Sequence, residues 1–190
     1  MRTRNNGELR ISNVGETVTL VGWCAKKRDL GGLLFIDLRD RWGITQIVVN
    51  PNNEFYNVAV DVKNEYVLKA TGKVVERESK NKNIPTGDVE VIVECLEILS
   101  SAEVTPMIIA DNTDALEDTR MKYRYLDLRR PQMQYNMKLR HKAAMSIRNY
   151  FDALDFIEVE TPVFGKSTPE GARDFLVPSR VHKGEFYALP

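Results

Sequence analysis

Five short segments rich in β-branched and aromatic residues constrain this 190-residue chain most: 17–25 (TVTLVGWCA), 33–39 (LLFIDLR), 44–50 (ITQIVVN), 65–75 (EYVLKATGKVV) and 89–99 (VEVIVECLEIL). Each is bounded by Gly, Asn, Asp or Pro, residues that punctuate strand ends. Between the third and fourth, EFYNVAVDV (54–62) repeats Phe55, Val58, Ala59 and Val62 at helical spacing. The predicted order is therefore three strands, one helix and two strands.

That order predicts an all-β OB-fold barrel of five strands and one helix, a scaffold whose strand 2 and 3 face commonly binds single-stranded nucleic acid. Fold alone does not assign that use. In the second segment Leu34, Ile36 and Leu38 share the face expected to be core, while Leu33, Phe35, Asp37 and Arg39 share the other. An outward Phe35 is a stacking platform for a base, an interaction worth about 1–3 kcal/mol. Gln46 carries a donor and an acceptor suited to the edge of an unpaired base. Periodicity equally allows Phe35 to close the barrel rim and Gln46 to be plain surface. KKRDLGG (26–32) reads as a basic loop whose glycines allow close approach to phosphate, and RESKNK (77–82) as a second basic loop or a solvated hairpin tip.

Lys and Arg (27) balance Asp and Glu (27), so net charge makes no case for a polyanionic partner and only local asymmetry can. Residues 119–148 hold nine basic residues against the single acid Asp127, whereas 103–118 hold five acids and no base. Such runs are usually solvated faces. Cys24 and Cys95 are too few for a disulfide framework, have no zinc-ligand spacing, and fall in predicted strands as core residues. The N-terminal MRTRNNGELR lacks an apolar stretch, and no run approaches the ~20 apolar residues of a membrane span, so the expectation is a cytoplasmic, reduced protein without membrane contact.

The later residues change period. Residues 101–118 read as a linker. In RYLDLRRP (124–131), Arg129 and Arg130 are free to meet RNA phosphate or acids within the fold. Leu139, Ala143, Ile147, Tyr150 and Leu154 then form one stripe of an amphipathic helix, and Ile157, Val159 and Thr161 alternate with Glu158 and Glu160 before Pro162, as in a strand. Paired carboxylates raise acid/base or metal chemistry, but no His or ligand cluster accompanies them, and no metal site is expected. STPEGARDFLVPSR (167–180) reads chemically as a polar loop with Gly171 and a charged Arg173–Asp174 pair.

Taken together, GWCAKKRDLGGLLFIDLRDRWGITQIVV (22–49), RYLDLRRP, FIEVETP (156–162) and STPEGARDFLVPSR closely resemble the bacterial aspartyl-tRNA synthetases, a class II aminoacyl-tRNA synthetase family. The resemblance implies an anticodon-binding barrel over 1–103, a hinge over 104–118, and over 119–190 the start of an α+β catalytic domain, an antiparallel sheet with helices. It implies that Phe35 stacks on the central uridine of the anticodon and Gln46 contacts it, and that Arg28, Arg77 and Glu90 make further anticodon contacts. It places Pro162 in motif 1 at a dimer interface, and Glu170, Ser167 and Thr168 in a loop closing over aspartate. Such an enzyme, a homodimer, uses ATP and magnesium to activate aspartate and passes it to an aspartate-accepting tRNA. The ATP-binding motifs 2 and 3 do not occur in these 190 residues, so the expectation is a fragment with no catalytic residue of its own and no tight cofactor binding. Two other readings are a stand-alone OB-fold nucleic-acid binder and a regulatory synthetase-like paralogue without catalysis.

Overall fold

The computed structural model describes residues 1–167 and 174–189. Two compact units divide it, Met1–Ile108 with Thr113–Tyr123, and Ile109–Asn112 with Arg124–Pro190. In the first, β1 (Thr17–Leu30), β2 (Leu33–Arg39), β3 (Ile44–Val49), β4 (Val67–Glu76) and β5 (Val89–Ser100) close a barrel in the order β1-β2-β3-β5-β4, with α1 (Tyr56–Asp61) between β3 and β4. β3 and β5 run parallel and the other neighbours antiparallel. This is the OB-fold read from the strand pattern.

The core follows the two-residue period. Val18, Leu20 and Cys24 of β1, Leu34, Ile36 and Leu38 of β2, Ile47 and Val49 of β3 and Leu68, Ala70 and Val74 of β4 are buried in one cluster, and Ala59 and Val62 from the α1 region join it. Barrel closure removes the unpaired edges that a five-stranded open sheet would expose to other chains.

Of the register breaks in the barrel, two affect what faces outward. In β1 the pairing steps from Cys24↔Leu38 to Lys26↔Asp37, leaving Ala25 as the extra residue. Without it, the inward even positions of β1 would continue to Arg28. With it, Arg28 lies opposite Phe35 on the outer face, and Lys27 opposite the inward Ile36. Lys27 sends its Nζ to the carbonyls of Ala59 and Val60 in α1. A cation donating to these late helical carbonyls suits the negative end of the helix dipole. KKRDL is thus strand rather than loop, a correction to the sequence reading. The connection shrinks to Gly31 and Gly32, both at positive φ (65° and 90°), because a two-residue hairpin matches strand twist only with left-handed turn residues.

The second bulge lies in β5, where pairing steps from Cys95↔Thr71 to Val93↔Gly72. Glu94 is the extra residue, so the inward series Val89, Val91, Val93 resumes at Leu96, and Cys95 is exposed rather than core. Cys24 is core, and burial pushes its thiol pKa from an ordinary 9.0 up to about 11. One thiol, Cys95, is therefore expected to react in the native chain and two after unfolding. Because folded Cys24 keeps its proton where the unfolded thiol loses it, stability is expected to fall as pH rises from about 9 to 11. Comparing denaturation midpoints with Cys24→Ala across that window isolates the effect, since the variant lacks the slope.

In the second unit, α3 (Arg124–Asp127) leads to α4 (Pro131–Asp152), and β6 (Phe175–Pro178) pairs antiparallel with β7 (Phe186–Leu189); α2 (Glu117–Lys122) belongs to the first unit. RYLDLRRP proves to be an internal charge cluster. Asp127 is fully buried and accepts from Arg130 Nε at 2.8 Å and from Arg124 Nη1. Arg130 is itself buried and lies 3.8 Å from Asp111. Its side chain is committed to acids of the fold, the second of the two uses the sequence allowed. Asp111 also accepts from the Gln132 amide at 3.0 and 3.2 Å, capping α4 from a distance where Arg130, as N-cap, offers no acceptor. Pro131 at the first helical position needs no such acceptor.

FIEVETP does not form the strand its alternation predicted: residues 156–162 are irregular and exposed, because a strand needs a ladder partner and none lies beside them among the described residues. The Arg148 guanidinium donates to both oxygens of Glu158 at 2.9–3.2 Å and holds its carboxyl below the usual carboxylate range. That favours a surface ion pair over a general acid. No helix among the described residues is long and apolar enough to cross a membrane.

Candidate nucleic-acid interface

The β2–β3 register settles which residues share the outer face: Phe35 lies opposite Val48, Asp37 opposite Gln46 and Arg39 opposite Ile44. From β1, Arg28 lies opposite Phe35. From β5, which runs parallel to β3 with Ile47↔Val91 and Val48↔Ile92 in register, Glu90 follows on the far side of Gln46.

These side chains are physically linked. Arg28 Nη2 donates one hydrogen to Asp37 Oδ1 at 2.8 Å and the other to Gln46 Oε1 at 3.0 Å. Gln46 Nε2 donates to Glu90 Oε2 at 2.7 Å, and Arg77 Nε stands 3.9 Å from the same oxygen. The result is one array, Asp37–Arg28–Gln46–Glu90–Arg77, of alternating charge around a neutral amide. The charges orient that amide, because a guanidinium on one side demands the oxygen and a carboxylate on the other demands the nitrogen.

Burial across the array is uneven. The Arg28 side chain is 37% exposed and Glu90 and Arg77 are 15% and 11% exposed. Gln46 is only 3% exposed. It is neither plain surface nor an open reading edge, since the outer layer of charged side chains covers it. Its second N–H and second lone pair are not taken by these bonds. Arg28 Nε is buried and has no acceptor among the described residues, a donor with capacity for an incoming phosphate or carbonyl oxygen. Phe35 is half-buried on the same face.

The β4–β5 loop carrying Arg77 is held in place. Arg77 N bonds to Asp88 O, Asn81 N to Gly87 O, and the buried Thr86 hydroxyl to Ile44 O at the start of β3. A Cβ on Gly87 would lie 1.7 Å from Asn81 O, so the loop closes on itself only with glycine there. It is a built support for Arg77, not a loose hairpin tip.

All five residues expected at this face, Arg28, Phe35, Gln46, Arg77 and Glu90, thus converge on it. Sequence reasoning gave no role to Asp37, although alternation had already put it beside Phe35. In the second unit, Ser167 Oγ donates to Asp174 Oδ2 at 2.9 Å, and Pro162 lies in an exposed irregular segment. Thr168 and Glu170 lie outside the described residues.

Two family models match. Residues 18–99 match the OB-fold nucleic acid binding domain and residues 116–190 the class II tRNA synthetases (D, K and N). The aspartate–tRNA ligase of Lactococcus lactis subsp. cremoris MG1363 is 57% identical over the whole of this chain and 32% of its own length. The aspartate–tRNA(Asp/Asn) ligase of Bacillus mycoides KBAB4 is 56% identical over the whole chain and 33% of its length. The chain therefore spans about a third of the curated relatives it matches. Among solved structures, the asparaginyl-tRNA synthetase of Pyrococcus horikoshii with asparaginyl-adenylate superposes with a TM-score of 0.78 at 26% identity, over 96% of this chain and 41% of that one. A barrel that matches the OB-fold nucleic acid binding domain thus leads into a segment that matches the class II tRNA synthetases, and along its full length the chain is similar to aspartate–tRNA ligases.

Proposed function

We propose that these residues are the anticodon-reading barrel and the opening of the catalytic domain of an enzyme that activates aspartate with ATP and transfers it to tRNA. The observation that carries the reading is the Asp37–Arg28–Gln46–Glu90–Arg77 array beside Phe35, on the barrel face an OB-fold uses for single strands. Phe35 offers its ring to the central anticodon base, a uridine by family resemblance. Gln46 contacts the edge of that base, and Arg28, Arg77 and Glu90 meet the neighbouring bases or backbone. Pro162 belongs to a dimer-forming motif, and Ser167, Thr168 and Glu170 to a loop over the aspartate ammonium group, for which a carboxylate is the natural partner.

ATP and magnesium act in the complete enzyme. Among the described residues no group of three or more His, Cys, Asp or Glu side chains is arranged to hold an ion. The alternative of a bare OB-fold binder leaves the class II match over 116–190 unexplained.

The test is binding of the 190-residue chain to an aspartate-accepting tRNA transcript, in competition with the same transcript altered at the middle anticodon base. A preference of about 10-fold or more for the unaltered base is expected from one well-placed edge contact. Equal binding to both, falling steeply and identically with salt, would mean phosphate contacts alone and would overturn the reading.

A further inference from the structure

We infer that Asp37 is a specificity-determining positioning residue, the outer anchor of a charge lock that holds the Gln46 amide in one of its two orientations. The inference rests on the anticodon reading above and adds to it how the barrel tells one pyrimidine from the other.

A glutamine amide is nearly symmetric in shape and opposite in chemistry at its two ends. In one orientation the edge left over by its bonds to Arg28 and Glu90 offers a donor then an acceptor, and after a 180° flip an acceptor then a donor. Uracil presents a carbonyl acceptor beside an N–H donor. Cytosine presents the reverse at the corresponding atoms, an amino donor beside a bare ring nitrogen. An amide free to flip accepts either pyrimidine; an amide that cannot flip discriminates.

In this barrel the flip is opposed from both sides. Flipping would turn the Gln46 NH2 onto Arg28 Nη2, two donors face to face across 3.0 Å, and its oxygen onto Glu90 Oε2, two acceptors across 2.7 Å. Both clashes require the flanking charges to stay where they are. Arg77 lies against Glu90, and the held β4–β5 loop supports it. On the other side Arg28 is paired with the carboxylate of Asp37, through the nitrogen that also serves Gln46. Without Asp37, the guanidinium of this partly exposed side chain is free to swing out to solvent, and one wall of the lock opens. Asp37 itself stays off the base, since it acts through Arg28.

The experiment uses the full chain and two anticodon stem-loop transcripts that differ only in U or C at the middle position, with wild type, Asp37→Ala and Asp37→Glu. Wild type is expected to separate the two by about 10-fold or more, and Asp37→Ala to bring them within about 3-fold, largely through tighter binding of the disfavoured pyrimidine. Asp37→Glu, which keeps the carboxylate, is expected to restore much of the ratio. General loosening of the barrel would weaken both transcripts and leave the ratio in place. As a readout that needs no RNA, the Gln46 side-chain amide resonances of the free protein are expected to shift in Asp37→Ala and to stay near their wild-type positions in Asp37→Glu. An unchanged ratio in Asp37→Ala together with unchanged resonances overturns the lock alone. Equal wild-type binding to both transcripts overturns the anticodon reading, and the lock's role in specificity with it.

Discussion

Gly72→Ala is expected to destabilise the barrel by about 3 kcal/mol or more, the upper end for forcing extra volume into a packed site. The added Cβ would lie 2.1 Å from Ile92 O, 2.8 Å from Ile92 C and 2.9 Å from Val93 Cα, all of them backbone atoms of β5. No side-chain rotation relieves such a clash, because the atoms in the way belong to the ladder itself. Relief requires β4 and β5 to part at the bulge, where Thr71↔Cys95 gives way to Gly72↔Val93. Parting them there also disturbs the phase that directs Val91 and Val93 inward. A domain of this size loses roughly 4–8 °C of melting temperature per kcal/mol, so a thermal melt followed by circular dichroism is expected to move by more than about 10 °C. Gly31→Ala is the control. Gly31 has a positive φ of 65° but nothing within 4 Å of its would-be Cβ, so only the left-handed penalty of about 1–2 kcal/mol applies. If Gly31→Ala proved the more damaging, turn conformation rather than strand packing would be limiting.

The contrast between those glycines marks what could be read in the sequence and what could not. The strands, the helix between the third and fourth, and the inward set Leu34, Ile36 and Leu38 were legible because alternation within one strand is a local property. The bulges at Ala25 and Glu94 were not, because a bulge is defined only against the partner strand. That is why Arg28 was assigned to a loop and Cys95 to the core. Phe35 and Gln46 were legible as outward-facing, but the burial of Gln46 was not, since it depends on Arg28 arriving from β1 and Glu90 from β5. The partner of Arg130 was likewise hidden: Asp127 is three residues away in sequence, but Asp111 is nineteen away across a segment without periodicity. The alternation in FIEVETP was a true pattern without a pairing partner among the described residues, and so it overpredicted a strand. The roles of Ser167, Thr168, Glu170 and Pro162 came from family resemblance alone, because a polar loop and a proline after an extended run have many uses.

Phe35→Ala and Gln46→Ala are expected to damage RNA binding in two separable ways. A ring stacked on a base contributes about 1–3 kcal/mol whatever the base, because every base has a π-face. Phe35→Ala should therefore weaken native and altered stem-loops alike, by about 5-fold to 150-fold, leaving their ratio nearly intact. If Gln46 contacts a base edge as proposed, its removal should cost the favoured transcript most and bring the ratio towards unity. Gln46→Ala also strips Arg28 and Glu90 of the amide that separates their charges, and the pair is then expected to reorganise. Binding measured at two salt concentrations keeps these effects apart from phosphate contacts, since neither substitution removes a cation and the slope of log affinity against log salt should not change. Thermal melts of both variants show whether the barrel survives the loss of a nearly buried side chain. Equal losses on every transcript from both substitutions would reduce the face to a sequence-blind platform. A lost ratio in Gln46→Ala and a kept one in Phe35→Ala would instead separate the groove's affinity from its specificity, residue by residue.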